Sequence, residues 1–222
     1  MLRNWKKQVM KIRINSGENL QIFPSFQFGT NTNRRIIEIE SNAQLDLTQV
    51  NLVEDSQEYH YQIYLIGEFA ICNLYFLDLT RRDGKLKTII EVFHQAPNCK
   101  SRQLHKGIYA DNSVGILKSY TEINNNSAGT DSLQLHRSIL LSNTARVYIE
   151  PHLKIDIDIV KCKHGISVGK LDDQMLFYLQ SRGLSKSNAK RLLIDSFEEE
   201  ILNTIKNFTE QQSIKKKVSL WI

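Results

Sequence analysis

Leu153-Lys154-Ile155-Asp156-Ile157-Asp158-Ile159-Val160-Lys161-Cys162-Lys163-His164-Gly165-Ile166-Ser167-Val168-Gly169 alternates like a β-strand along its whole length, but its apolar phase changes midway. Leu153, Ile155, Ile157 and Ile159 put the apolar face on odd positions, whereas Val160, Cys162, His164, Ile166 and Val168 put it on even ones. Side chains of a strand alternate between faces with period two, so one continuous strand cannot hold both sets on one side. The slip at Ile159-Val160 marks either a corner between successive flat strands of a coil, which favours a β-helix, or a β-bulge.

Upstream the texture is the same. Short period-two runs recur at Ile36-Ile37-Glu38-Ile39, Tyr59 to Ile66, Ala70 to Leu79, Leu86 to Phe93 and Leu133 to Leu141. Between them lie polar or glycine-bearing turns such as Arg82-Asp83-Gly84 and Asn124-Asn125-Asn126-Ser127-Ala128-Gly129. Many strands without crossover helices point to a sandwich, a barrel or a β-helix, and alternation alone does not choose among them.

After Gly169 the period changes. Leu171 to Arg182 reads as a helix with acids in its first turn, an arginine in its last and Gly183 as its stop. Ser185 caps a second, longer helix whose apolar stripe runs through Ala189, Leu192, Leu193, Phe197, Ile201, Leu202, Ile205 and Phe208. The end, Lys215-Lys216-Lys217-Val218-Ser219-Leu220-Trp221-Ile222, is expected to be a frayed tail.

At 222 residues the chain is long enough to bury a substantial core. Cys72, Cys99 and Cys162 are odd in number and widely spaced, which argues against a disulfide framework and for a reducing compartment, the cytoplasm. Met1-Leu2-Arg3-Asn4-Trp5-Lys6-Lys7 is followed by no apolar leader core, and no apolar run is long enough for a membrane span. The +5 net charge is dispersed, without the basic stripe and interleaved aromatics that nucleic acid demands. HExxH and phosphate-cradling glycine loops are absent.

Chemistry then rests on few residues. Cys162 and His164 lie two apart on one strand face, a thiol and an imidazole suited to iron or an iron–sulfur cluster, but two ligands do not close a site. Their phase is shared by Val160, Ile166 and Val168, so the residues alone equally fit a core face with Cys162 as a small hydrophobe. Asp156 and Asp158 alternate with isoleucines and would face outward together, as in carbohydrate-acting β-helices or on any solvated sheet. His60, His94, His105, His136 and His152 are scattered and read as structural or surface residues.

The run Lys161-Cys162-Lys163-His164-Gly165-Ile166-Ser167-Val168-Gly169, followed by Phe177-Tyr178-Leu179-Gln180-Ser181-Arg182-Gly183-Leu184, resembles the C-terminal part of the SufB/SufD family of iron–sulfur cluster assembly scaffolds. Ordered landmarks extend the likeness: Phe93-His94-Gln95-Ala96-Pro97, Lys106-Gly107-Ile108, Leu140-Leu141-Ser142 and Glu150-Pro151-His152-Leu153-Lys154-Ile155. Ile166-Ser167 stands where Ala-Thr is usual, and Lys154 where Glu is common. The Lys-Cys-x-His-Gly form, and Glu198-Glu199-Glu200 after Phe197 in place of a cysteine, are similar to the SufD branch.

The resemblance implies a mainly β fold, a right-handed parallel β-helix followed by a small helical region. The expected division is a segment 1–33 of unassigned role, a β-helix core 34–169 and a helical part 170–222. It further implies a non-catalytic, cytoplasmic scaffold subunit that pairs with a SufB homologue and binds the SufC ATPase through helices at about 171–209. His164 matches the histidine associated with the interfacial assembly site, with Cys162 its neighbour. Iron or a cluster would be transient on the complex, with no tightly bound cofactor on this subunit. The competing class is a stand-alone β-helix enzyme that binds metal or acts on carbohydrate. The isolated chain, with open coil ends, is expected to aggregate or self-dimerise.

Overall fold

In the computed structural model the described residues are 9–23 and 34–221. The reading of Met1 to Lys7 lies outside them. Twelve strands come first: β1 Val9–Ile14, β2 Asn19–Ile22, β3 Arg34–Ile39, β4 Gln44–Val53, β5 Ser56–Leu65, β6 Ile71–Thr80, β7 Lys85–His94, β8 Lys100–Tyr109, β9 Val114–Ile123, β10 Thr130–Leu140, β11 Arg146–Ile155 and β12 Val160–Gly169. Helices α1 Asp173–Ser181, α2 Lys186–Leu202 and α3 Phe208–Trp221 follow.

Each strand pairs in parallel with the one two places on, so odd strands make one six-stranded sheet and even strands another. This is a parallel β-solenoid, with each coil placing one strand in each sheet. The first coil is β1 and β2, so the ladder begins ahead of Arg34. Residues 156–159 form the corner between β11 and β12, with the Asp156 amide donating to the Ile123 carbonyl at 2.9 Å. The phase slip at Ile159-Val160 is thus a coil corner.

Corners are built alike from coil to coil. Asn42, Phe69 and Asn98 each adopt a φ of 57 to 60° and each donates its amide to the next coil, at the carbonyls of Glu68, Pro97 and Ala128. Left-handed backbone is costly for most residues, but stacked corners hold it in place by hydrogen bonds above and below.

Inward side chains of the early coils, among them Ile37, Ile39, Leu45, Leu47, Ile63, Leu65, Leu74 and Phe76, form the solenoid core. A second core lies outside the even sheet, where Val50, Leu52, Leu77, Leu79 and Ile108 meet Ile194, Ile201, Leu202, Ile205, Ile214 and Val218 of the helical region. Strands buried on both faces lose the alternation that marks half-buried ones.

Several expectations are corrected. β4, β8 and β9 lie outside the periodic runs. Those inward β8 residues that are polar, Ser101, Gln103 and His105, are buried, so hydropathy hides the strand. The run Leu153 to Ile159 is not one strand: Asp156 and Asp158 sit in the corner rather than on a sheet face, and Lys154 pairs with Asp156 at 3.4 Å. The second helix stops at Leu202; Ile222 lies outside the described residues, and the rest of the supposed frayed tail is the second half of a third helix, α3. Its Ile214 and Val218 are buried, and the Arg81 guanidinium stacks 4.2 Å from the Trp221 ring centre. Gly183 as the stop of the first helix and Ser185 as the cap of the second are as the sequence implies: Gly183 has φ +95°, and the Ser185 hydroxyl accepts from the Asn188 amide, whereas α1 begins only at Asp173, with Asp172 as its N-cap accepting from the Gln174 and Met175 amides and Arg182 at its C-cap rather than in its last turn.

Candidate functional site

β12 is the last strand of the even sheet and β11 the last of the odd one, so among the described residues nothing pairs beyond them. Cys162 stacks on Ser132 of β10, His164 on Gln134, Ile166 on His136 and Val168 on Ser138. These are continuations of inward-facing columns, as the shared phase of Val160 to Val168 implies. In the final coil that inner face is uncovered. Cys162 is half-buried, His164 is exposed, and Ile166 and Val168 are 47% and 46% exposed. Ile155, Ile159 and Tyr148 add further open apolar surface on the same coil.

The pattern Cys-x-His therefore does not decide between core and surface; position in the stack does. Lys161 and Lys163 are exposed on the opposite face. Partial burial raises the Cys162 thiol above its ordinary value, and the Asp131 carboxylate pushes the same way against a backbone hydrogen bond at Ser132. At neutral pH the thiol keeps its proton, so metal capture there must release one. Among the described residues no three His, Cys, Asp or Glu side chains converge on one ion position. Cys162 and His164 supply part of a coordination sphere and require ligands from elsewhere to complete it.

The scattered histidines have distinct places. His60 Nε2 pairs with Glu91 on the outer odd sheet, and His152 is exposed. His94, His105 and His136 are buried in the solenoid. His94 Nε2 lies 2.9 Å from Ser101 Oγ, and burial pushes its pKa down to about 4. His105 Nε2–H donates to Asp78 Oδ2 at 2.6 Å. His136 is pushed down to about 3 by burial, with His105 and His164 adding to the shift. Polar inward positions of β8 and β10 carry little sequence signal, because hydropathy treats them as surface.

The helical region presents a second exposed strip. Met175, Phe177 and Tyr178 of α1 and Leu192 of α2 are all open to solvent, Phe177 to 75%. No helix among the described residues is long and apolar enough to cross a membrane.

Comparison with known proteins gives one consistent answer. Residues 25–197 match the family model described as SUF system FeS cluster assembly, SufBD core domain. The chain is 31% identical over 154 residues to the iron–sulfur cluster assembly protein SufD of Escherichia coli (strain K12), covering 69% of this chain and 36% of that protein. It is 30% identical over 169 residues to the chloroplastic protein ABCI7 of Arabidopsis thaliana, covering 76% and 36%. A SufBD family protein of Antithamnion sp. is 28% identical over 172 residues, covering 78% and 58%. The chain thus spans little more than a third of the length of the first two relatives. The family match reaches well ahead of Phe93, into coils whose sequence carries few landmarks.

Proposed function

The chain belongs to the SufBD core family of the SUF iron–sulfur cluster assembly system, and from that premise we propose that it is a SufD-like scaffold subunit. In this reading it pairs through its open terminal coil with a SufB-type partner and carries a SufC-type ATPase on its C-terminal helices. His164 and Cys162 then face the shared interface and handle iron or a nascent cluster, which is the cargo of the complex. The chain itself is non-catalytic, and ATP hydrolysis belongs to the ATPase partner.

One observation carries the reading: the unpaired edges of β11 and β12 coincide with the exposed His164, the half-exposed Cys162 and an open apolar rim. Unpaired parallel edges recruit another strand, so a partner's strands at this end would bury the rim and bring further ligands to the imidazole and thiol. The exposed Met175, Phe177, Tyr178 and Leu192 support the helical region as the ATPase dock.

The test is capture of the SufB and SufC homologues of the same cell by the tagged chain, followed by size-exclusion chromatography. Co-elution of both is the expected result. A chain that captures neither, while eluting folded, overturns the proposal.

A further inference from the structure

The lumen of the solenoid changes character along its axis. At β4 and β6 the inward residues include Leu45, Leu47, Cys72, Leu74 and Phe76; at β8 and β10 they include Ser101, Gln103, His105, Ser132, Gln134, His136 and Ser138, all buried. Several of these are paired. Ser101 Oγ donates to Ser132 Oγ at 2.9 Å, and Gln103 and Gln134 both donate to Thr121 Oγ1, at 3.2 and 2.6 Å. The exceptions lie on His105 of β8 and on three successive inward positions of β10. His105 Nδ1, both ring nitrogens of His136, Gln134 Oε1 and Ser138 Oγ are buried and have no hydrogen-bond partner among the described residues.

His105 and His136 are register partners in adjacent strands, with ring centroids 6.1 Å apart. Behind His105 stands Asp78, a carboxylate buried to 1% exposure that takes hydrogen bonds from His105 Nε2, Asn51 Nδ2 and Thr88 Oγ1. Among the described residues no lysine or arginine pairs with it. A buried carboxyl group whose only basic partner is an imidazole and a cluster of unpartnered polar atoms are each costly, and a bound cation would ease both. An imidazole whose second nitrogen is tied to a carboxylate is the usual support of a metal ligand.

We propose that His105 and His136 form a buried two-imidazole site for a borderline divalent transition ion such as Fe²⁺, Co²⁺ or Zn²⁺, with Gln134 Oε1 as a supplementary donor and the Asp78 carboxyl group behind His105. With an ion about 2.0–2.1 Å from each nitrogen, two such rings can stand at most about 6.4 Å apart, so the 6.1 Å separation admits an ion between them with a wide nitrogen–ion–nitrogen angle. Imidazole is a ligand common to these ions. Because burial keeps His136 unprotonated at neutral pH, its lone pair is available. The site lies deeper in the lumen than Cys162 and His164, below Ile166 and Val168 of the open coil. It draws on the scaffold reading only for the ion's identity as iron in the cell.

The experiment uses the full chain carrying Cys162→Ala and His164→Ala, titrated with Co²⁺ and followed by visible absorption and by bound metal after gel filtration. About one ion per chain is expected to remain, with imidazole scattering at about 2.0–2.1 Å in X-ray absorption. Adding His136→Leu is expected to weaken binding by about 10-fold or more at unchanged circular dichroism. Loss of all binding in the double variant places the ion at the surface pair and overturns the inference while leaving the scaffold reading intact. Unchanged affinity on adding His136→Leu overturns it too. Should that variant misfold, ¹⁵N shifts of the His105 and His136 rings in the double variant decide: shifts unmoved by Zn²⁺ mean that water alone fills the column. Failed capture of SUF partners, conversely, leaves this site untouched.

Discussion

The ammonium of Lys106, on the outer face of β8, donates to the carbonyl oxygen of Phe197 in α2 at 2.7 Å and lies 4.5 Å from the centre of the same residue's ring. Glu200 closes the arrangement by pairing with Lys106 and, at 3.5 Å, with Arg137. Lys106 is only 3% exposed, so this link is made largely out of water. It fastens the helical region to the solenoid at the Lys106-Gly107-Ile108 landmark. Lys106→Met keeps the stem and removes the charge, and it is expected to cost about 1–3 kcal/mol in urea denaturation. An unchanged midpoint and slope would remove the link from the list of stabilising contacts.

Glu198 is buried beside a cavity between α2 and α3 lined by Arg191, Asp195, Glu199, Leu202, Lys215 and Ser219, and its Oε1 has no partner among the described residues. Burial raises its pKa to about 8, Asp195 adds to the rise and Arg191 opposes it. The folded chain therefore holds a proton here that the unfolded chain releases near pH 4.5. Stability from this group is fully present below about pH 4.5 and is lost as pH rises towards 8. Glu198→Gln keeps the shape without the charge, so its Tm is expected to gain on the wild type as pH climbs from 5 to 8, by the equivalent of about 2–4 kcal/mol. A Tm difference that does not vary with pH would refute the buried neutral acid.

Tyr109 fills the lumen space left by two glycines. A Cβ built on Gly115 would stand 2.3 Å from its ring carbons, and one on Gly107 2.5 Å from Cε2. Gly115→Ala is expected to destabilise by about 1–3 kcal/mol, because a fully buried ring has nowhere to move. Tyr109→Leu in the same chain should recover part of the loss, a coupling that a double-mutant cycle measures directly.

His164 is exposed, so His164→Ala is expected to shift stability by no more than about 0.5 kcal/mol. In the reconstituted complex the same change is expected to lower cluster formation markedly. Cluster formation at the wild-type rate would show that this imidazole does not handle iron.

The edge that exposes His164 also bears on self-association. With the outer edges of β11 and β12 unpaired among the described residues and Ile159 70% exposed, the isolated chain is expected to dimerise or aggregate. Light scattering checks this: a clean monomer at high concentration would contradict it, and an Ile159→Lys variant should shift the distribution towards monomer.

Much of the fold is legible in the sequence alone. Strands with apolar inner positions, such as Ile63, Leu65, Leu74 and Ile90, announce themselves by alternation, and the end of α1 and the start of α2 by Gly183 and Ser185. These signals are local: a pleat, a cap or a left-handed stop depends on a few adjacent residues. The ordered landmarks from Phe93 to Phe197 carried the family likeness in the same way.

Only the tertiary structure decided the rest. β8 escaped notice because three of its inward residues are a serine, a glutamine and a histidine, whose burial follows from neighbours one coil away. α3 read as a tail because its docking surface, Val50, Leu52, Leu77 and Leu79, lies far away in the chain. Cys162 and His164 share their phase with core residues, yet stand open because their strand is the last in its sheet. Sequence sets which side of a strand a residue occupies; exposure is set by whether another coil lies beyond it, which no local pattern records.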